Sequence, residues 1–156
     1  MTRVERFVLL RHSNAGERLP DPAKDFDRGL AADGERIALR LPGVLAEHLR
    51  PVEILSSPLR RCVQTVQPLA AALGLQIQED ERLAPQRFST ESDRTLRHVH
   101  ANAVACTHRE LFEQVFDDVR CAKGAFWIVE RSKGRLTPVE YVDFAGPLAA
   151  GWVPGG

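Results

Sequence analysis

The chain has 156 residues, and several things are scarce in it. It has no net charge, because 21 basic side chains balance 21 acidic ones. It also has no dense Lys/Arg tract, which argues against a binder of nucleic acid polymers, since such domains present a basic patch or run. No apolar run approaches the roughly 18 residues of a bilayer span; the longest, 7–10 and the interrupted 66–75, fall far short. Charges lie among the first six residues, Met1-Thr-Arg-Val-Glu-Arg6, and only four apolar residues follow. That is too little for a signal-peptide core, so a cytoplasmic protein without membrane attachment is expected. Cysteine is limited to Cys62, Cys106 and Cys121, an odd number with no C-x-x-C pair, which predicts free thiols in a reducing compartment. None has an arginine six positions later, as a cysteine-phosphatase loop requires. Lysine occurs only at Lys24, Lys123 and Lys133 against 18 arginines, so an arginine counts only through its position.

What is present suits one domain. A chain of this length, 44% hydrophobic and 27% charged, can bury a core without staples. Arg6-Phe-Val-Leu-Leu-Arg11 has the continuous apolar pattern of a strand buried on both faces of a parallel sheet, and it ends in Arg11-His12. Residues 13–30 are polar and aperiodic, with Gly16, Pro20, Pro22 and Gly29, and read as a long loop. Over 32–50, Ile37, Leu41, Val44, Leu45 and Leu49 keep helical spacing, with a kink or break expected at Pro42-Gly43. Residues 52–56 read as a second buried strand. Ser57-Pro58 then supplies an N-cap and first-turn proline for a helix over 59–73 that Gly74 ends.

A brief third strand is expected over 75–78, an irregular stretch over 80–90 and a polar helix over 91–99. Residues 103–107 form another buried strand, which ends in His108. Leu111, Phe112, Val115, Phe116 and Val119 then mark one apolar helix face. Strands over 125–130 and 136–144 follow, joined by a turn at Ser132-Lys-Gly134, with Pro138 marking the last as an edge. Strands that alternate with helices predict an α/β, three-layer sandwich with a mainly parallel sheet and an antiparallel edge strand near the C-terminus. Residues 1–145 form the single domain, and 146–156 a Gly/Pro/Ala-rich tail. In such folds ligands sit at the carboxyl ends of strands, where Arg11-His12 and His108 converge.

An imidazole attacks phosphorus only when neutral, and neighbouring guanidinium groups hold its pKa down while gripping phosphoryl oxygens. Alone, Arg11-His12 at a strand end is weak evidence and reads first as a surface salt-bridge pair. With Ser57-Pro-Leu-Arg-Arg-Cys-Val-Gln-Thr65 opening a helix after a strand, the combination favours an anion. Leu10-Arg-His-Ser-Asn-Ala15, Ser57 to Thr65 and Cys106-Thr-His108 together resemble the three signature segments of the histidine phosphatase superfamily. The resemblance runs from about residue 7 to 141 and is nearest to the SixA-type phosphohistidine phosphatases. It implies a phosphoglycerate mutase-like fold and a metal-independent phosphatase with no cofactor. It further implies that His12 is the nucleophile and that Arg11, Arg61 and His108 form the phosphate pocket. Arg61 is chosen over Arg60 because it stands four residues before the motif threonine, Thr65. The expected partner is a phosphorylated protein or a small phosphorylated substrate, and the oligomeric state is open.

There are departures from the pattern. Arg-His-Gly of the family is here Arg11-His12-Ser13, and the segment in which relatives carry a proton-donating glutamate reads Arg82-Leu-Ala-Pro85. An alkoxide leaving group needs such a donor, whereas imidazole and phosphate oxygens do not. Phosphohistidine is therefore the leading substrate expectation, with nucleotides or small molecules, or a non-catalytic phosphate-binding module, as alternatives. Lys123-Gly-Ala-Phe-Trp-Ile-Val129, Gly134-Arg-Leu136 and Gly146-Pro-Leu-Ala-Ala150 are also similar to the phosphatase-like half of actinobacterial fusion proteins that carry a MutT-type Nudix domain, although no Nudix box occurs here. Arg28, in Arg28-Gly-Leu-Ala31, resembles a segment of the loop over the site and is either a substrate contact or a loop salt bridge with Asp25 or Asp27. Asp21, Asp25, Asp27 and Glu110 are substitute donors or solvated charges. His98, His100, Cys106 and His108 match no standard zinc spacing. His48, Trp127 and Phe126 read as structural, and Cys62 as a buried thiol in the phosphate-binding helix.

Overall fold

The apolar run near the N-terminus becomes an inner strand of a six-stranded sheet. In the computed structural model, which describes residues 3–85, 96–97 and 99–145, strand β1 spans Glu5–Arg11. It is followed by helices α1 (Pro22–Phe26) and α2 (Ala32–Leu45), β2 (Glu53–Ser56), α3 (Arg60–Leu73) and β3 (Ile77–Glu79). A 3-10 turn (Glu81–Leu83), β4 (Ala103–Thr107), α4 (Arg109–Val115), β5 (Phe126–Ser132) and β6 (Arg135–Val142) complete the order. The sheet order is β3-β2-β4-β1-β5-β6. The first four strands are mutually parallel, and β5 and β6 are antiparallel additions. Instead of one antiparallel edge strand there is thus an antiparallel hairpin, with β5 paired to β1 and β6 at the edge.

Successive residues of β1 point to opposite faces, which builds two cores. Val8 and Leu10 pack with Leu41 and Leu45 of α2 and Val66 and Leu69 of α3. Phe7 and Leu9 pack with Leu83, Leu96 and the α4 residues Leu111 and Phe112. All four of these β1 side chains are fully buried, which explains the unbroken apolar run. The three-layer α/β arrangement is the expected one.

Locally the structure corrects several expectations. The 13–30 loop contains α1, which starts because Asp21 accepts a hydrogen bond from the Ala23 N–H (3.0 Å) and Pro22 occupies the first turn. Pro42 does not break α2; it sits near the C-terminal end, and its carbonyl still accepts from the Ala46 N–H (3.1 Å). Ser57 is not the cap of α3, because Leu59 occupies that position and makes no side-chain cap bond. Helix α4 ends at Val115, short of Val119, and Asp118 turns the chain with a φ of 53°. Pro138 does lie on the edge strand, beside a register shift in the β5–β6 pairing. Trp127 is half-buried rather than core, stacked on Tyr141 at 5.0 Å. Of the helix expected over 91–99, Leu96 and Arg97 are helical; residues 91–95, residue 98 and the tail 146–156 lie outside the described residues. Among the described residues, no helix is long and apolar enough to cross a membrane.

Candidate active site

Three parallel strands end side by side and deliver the polar residues. Past the end of β1, the His12 N–H donates to Thr107 O (3.1 Å), and past β2 the Ser57 N–H donates to Cys106 O (2.9 Å). These bonds extend the ladder beyond the strands and fix His12, Ser57 and His108 at one edge. His12, Ser13, Ser56, Ser57, Arg61, Thr65, Thr107 and His108 are the buried polar residues of the described chain, and nearly all of them lie here.

His12 Nδ1 lies 2.7 Å from the carbonyl oxygen of Ser13. A carbonyl only accepts, so Nδ1 carries the proton and the lone pair sits on Nε2. Burial is the main force that pushes the His12 pKa down to about 3; the bond to Ser13 opposes it, and the charges of Arg61, Arg11 and Arg28 add to it. The neutral imidazole expected from flanking guanidiniums is therefore produced first by desolvation. His108 stands edge-on to His12, with ring centroids 5.2 Å apart, and burial followed by the charge of His12 lowers its pKa to about 2. Its Nε2 is 2.9 Å from Ser57 Oγ and 3.4 Å from Cys62 Sγ.

Arg11 and Arg61 are each tethered at one end only. Arg11 Nη1 donates to Cys121 O (2.8 Å), and Arg61 Nη1 donates to Asp25 O (3.0 Å). The Nε–H of each is buried and makes no hydrogen bond among the described residues. Two such donors beside a neutral imidazole suit the oxygens of a phosphoryl group. Thr65 couples the elements, because its hydroxyl donates to Arg61 O (2.7 Å) and accepts from the Ser13 N–H (2.9 Å). Ser13 is accommodated where relatives carry glycine. Its Oγ donates to Gly34 O (2.9 Å), and a Cβ at Gly124 would stand 3.3 Å from it.

Arg28 is both a loop bridge and a neighbour of the site. Its Nε bonds Asp25 Oδ1 (2.8 Å), its Nη1 holds Ala15 O (2.9 Å), and its charge reaches His12 and Arg61. Asp25 also approaches Arg61 Nη2 at 3.8 Å. Burial works against ionisation of Asp25, but the Leu19 N–H and Arg28 outweigh it and hold the carboxyl below its usual range. It is therefore poorly suited to donate a proton. Asp21 caps α1, exposed Asp27 lies 3.8 Å from the half-exposed Arg60, and Glu110 lies 3.7 Å from Arg18.

No group of three or more His, Cys, Asp or Glu among the described residues is placed to hold a metal. His100 precedes β4 and pairs with Glu53 (2.6 Å), at the opposite end of that strand from His108, and His98 lies outside the described residues. His48 is structural, 3.4 Å from Glu140 and edge-on to Phe126. The sequence reading missed Ser57 as a partner of His108, because Ser-Pro before a helix has the signature of a cap. Its position directly after a buried strand was the available signal.

The model of the histidine phosphatase superfamily (branch 1) matches residues 7–125. Among solved structures, a protein described as the phosphohistidine phosphatase SixA of Agrobacterium tumefaciens superposes with a TM-score of 0.69 at 23% identity, over 89% of this chain and 98% of that one. The protein histidine phosphatase SixA in complex with tungstate gives 0.69 at 18% identity, over 87% and 95%. A mycobacterial glucosyl-3-phosphoglycerate phosphatase gives 0.66 at 17%, over 82% and 91%. At these identities the superpositions speak for a shared fold, phosphoglycerate mutase-like, while the family match covers most of the chain and all three signature segments. The protein is a phosphatase and belongs to the histidine phosphatase superfamily.

Proposed function

We propose that this phosphatase works by two displacements through a phosphohistidine on His12, and that its substrate is phosphohistidine. The observation that carries this reading is the neutral His12, with Nδ1 bound to Ser13 and, beside it, the Nε–H groups of Arg11 and Arg61 that have no hydrogen-bond partner among the described residues. In the first step His12 Nε2 forms the N–P bond while the bond to the leaving group breaks. Arg11, Arg61 and His108 hold the equatorial oxygens as negative charge spreads over them, which requires no metal. Arg28, locked to Asp25, positions Arg61 and the loop over the pocket. Water then attacks phosphorus, the N–P bond to His12 breaks, orthophosphate leaves and the proton passes to solvent.

Leaving-group chemistry supports the substrate class. A substrate imidazole departs neutral once its second nitrogen is protonated, and with an ordinary pKa of about 6.5 it takes that proton from solvent at neutral pH. Arg82-Leu-Ala-Pro85 offers no carboxylate, and Asp25 stays ionised. An alcohol leaving group would lack its acid, so 3-phosphoglycerate is expected to be a poor substrate.

The test is a panel with EDTA present that compares wild type and His12→Ala on a phosphohistidine peptide, nucleoside diphosphates and 3-phosphoglycerate. Fastest cleavage of phosphohistidine, lost in the variant, is the expected result. Undiminished turnover in His12→Ala would remove the nucleophile assignment, and no turnover by wild type would leave a phosphate-binding module.

A further inference from the structure

A fourth cation stands beside Arg11, Arg61 and Arg28. The Lys123-Gly124 turn is fastened to the nucleophile segment, because the Gly124 N–H donates to both Arg11 O (3.1 Å) and His12 O (3.0 Å). The Lys123 side chain therefore emerges next to the pocket. Its Nζ makes one long contact, 3.4 Å to Asn14 Oδ1, and among the described residues no carboxylate lies within ion-pair distance. The nearest acidic influence is Asp33, whose carboxylate accepts two hydrogen bonds from Asn14 Nδ2 (2.9 and 3.1 Å). Burial, then the charges of Arg11 and Arg28, lower the pKa of Lys123.

Three arginines and a lysine thus share one edge of a molecule with no net charge; Asp25 pairs with Arg28 and Arg61, while Asp33 and Glu110 act on Lys123 and Arg11 only through their charge. Like charges so placed repel unless an anion sits between them. One phosphoryl group on His12 uses the two free Nε–H groups and leaves Lys123 unanswered. A cleft of about 680 Å³ opens beside Arg11, lined by Arg109, Arg120, Cys121, Ala122 and Tyr141 among others. Its charges are mixed, since Glu113, Asp117 and Asp118 also line it, so the cleft itself does not select for anions. The unanswered positive charge is at Lys123, which follows the cleft residues Cys121 and Ala122 in the chain and reaches Asn14, two residues after His12.

We infer that Lys123 forms a second anion subsite that holds the leaving phosphate of a phosphoanhydride, giving the enzyme a diphosphate-cleaving activity in addition to the one proposed above. The inference rests on the phosphoenzyme reading of His12. His12 Nε2 bonds to the terminal phosphorus, the bridging P–O bond breaks, and its electron pair stays on the leaving phosphate, whose oxyanion Lys123 holds without giving up a proton. Water then cleaves the N–P bond as before, so one water is consumed per turnover, and a diphosphate ester yields one orthophosphate and the monophosphate ester while pyrophosphate yields two orthophosphates. The organic remainder of a diphosphate ester extends into the cleft.

The experiment compares inorganic pyrophosphate with p-nitrophenyl phosphate, which has no second anion, in wild type, Lys123→Ala, Lys123→Arg and His12→Ala. A charged hydrogen bond to the second phosphate predicts that Lys123→Ala loses at least about ten-fold more kcat/KM on pyrophosphate than on the aryl phosphate. Lys123→Arg should recover most of that selectivity. Equal losses on both substrates, or wild type that cleaves the aryl phosphate and ignores pyrophosphate, would overturn the subsite and leave the phosphatase reading intact. Turnover unaffected in His12→Ala would instead remove the phosphoenzyme reading. Binding gives a readout independent of turnover: methylenediphosphonate should bind wild type more tightly than methylphosphonate does, and Lys123→Ala should lose that margin. Equal binding of the two by wild type also overturns the proposal.

Discussion

Thr65 shows how one hydroxyl can join two functional segments. It spans the first turn of α3 and the chain after His12, accepting from the Ser13 N–H while donating to Arg61 O. Thr65→Val keeps the shape and strands a buried N–H, so a stability loss of about 1–3 kcal/mol is expected in urea titration. A fall in kcat should accompany it, because Ser13 O fixes the His12 tautomer. Unchanged stability and turnover would mean that the helix and the chain after His12 hold together without it. At this scale the sequence was readable where a residue type has one chemistry, as with His12, Arg61 and His108. It was not readable where a residue has two uses: Ser57 looks like a cap and binds His108, and Arg28 is a bridge and a neighbour of the site together. Ser13 for glycine was legible as a departure, but its neighbours were not: Gly124 lies against Ser13, where an added Cβ would sit 3.3 Å from its Oγ, and Gly34 lets the next residue pass, since a Cβ there would sit 2.1 Å from Asn14 O.

Among the elements, the inner strands were the most legible. A strand buried on both faces must be apolar throughout, and β1 and β4 stand out for that reason. Helix α1 was hidden because it buries nothing and depends on Asp21 and Pro22 rather than on periodicity. The β5–β6 turn was placed correctly, and its geometry yields a prediction. Lys133 and Gly134 both have positive φ, 52° and 74°, which is the type I′ pattern in which asparagine is favoured at the first position. Lys133→Asn should therefore raise the thermal midpoint, with a gain of up to about 1 kcal/mol. A lower midpoint would show that the lysine has a compensating contact.

For the whole molecule, the site sets the response to pH. His12 and His108 have folded pKa values near 3 and 2 against an ordinary 6.5. The unfolded chain therefore binds protons more readily over that interval, and the stabilisation is complete above pH 6.5 and is lost as the pH falls. Each imidazole contributes a slope of roughly 1 kcal/mol per pH unit below that point. Urea midpoints at pH 7 and pH 5 should differ accordingly, and His12→Ala should remove about half of the difference. If the variant keeps the whole difference, the carboxylates and not the site govern acid sensitivity.

Sheet order carries a consequence for how the site comes into being during synthesis. The strand before His12 is made early, yet Val8 pairs with Val104 on one side and with Ile128 on the other. Until the ribosome has passed both, β1 has two open edges, apolar on both faces, which is the exposure that invites wrong pairing. The α2–α3 layer can begin to form sooner, since the two helices and β2 lie close in sequence. Assembly of the site is thus a late event in the life of each chain, and an N-terminal fragment ending before β4 would hold His12 at the end of a strand with no partner.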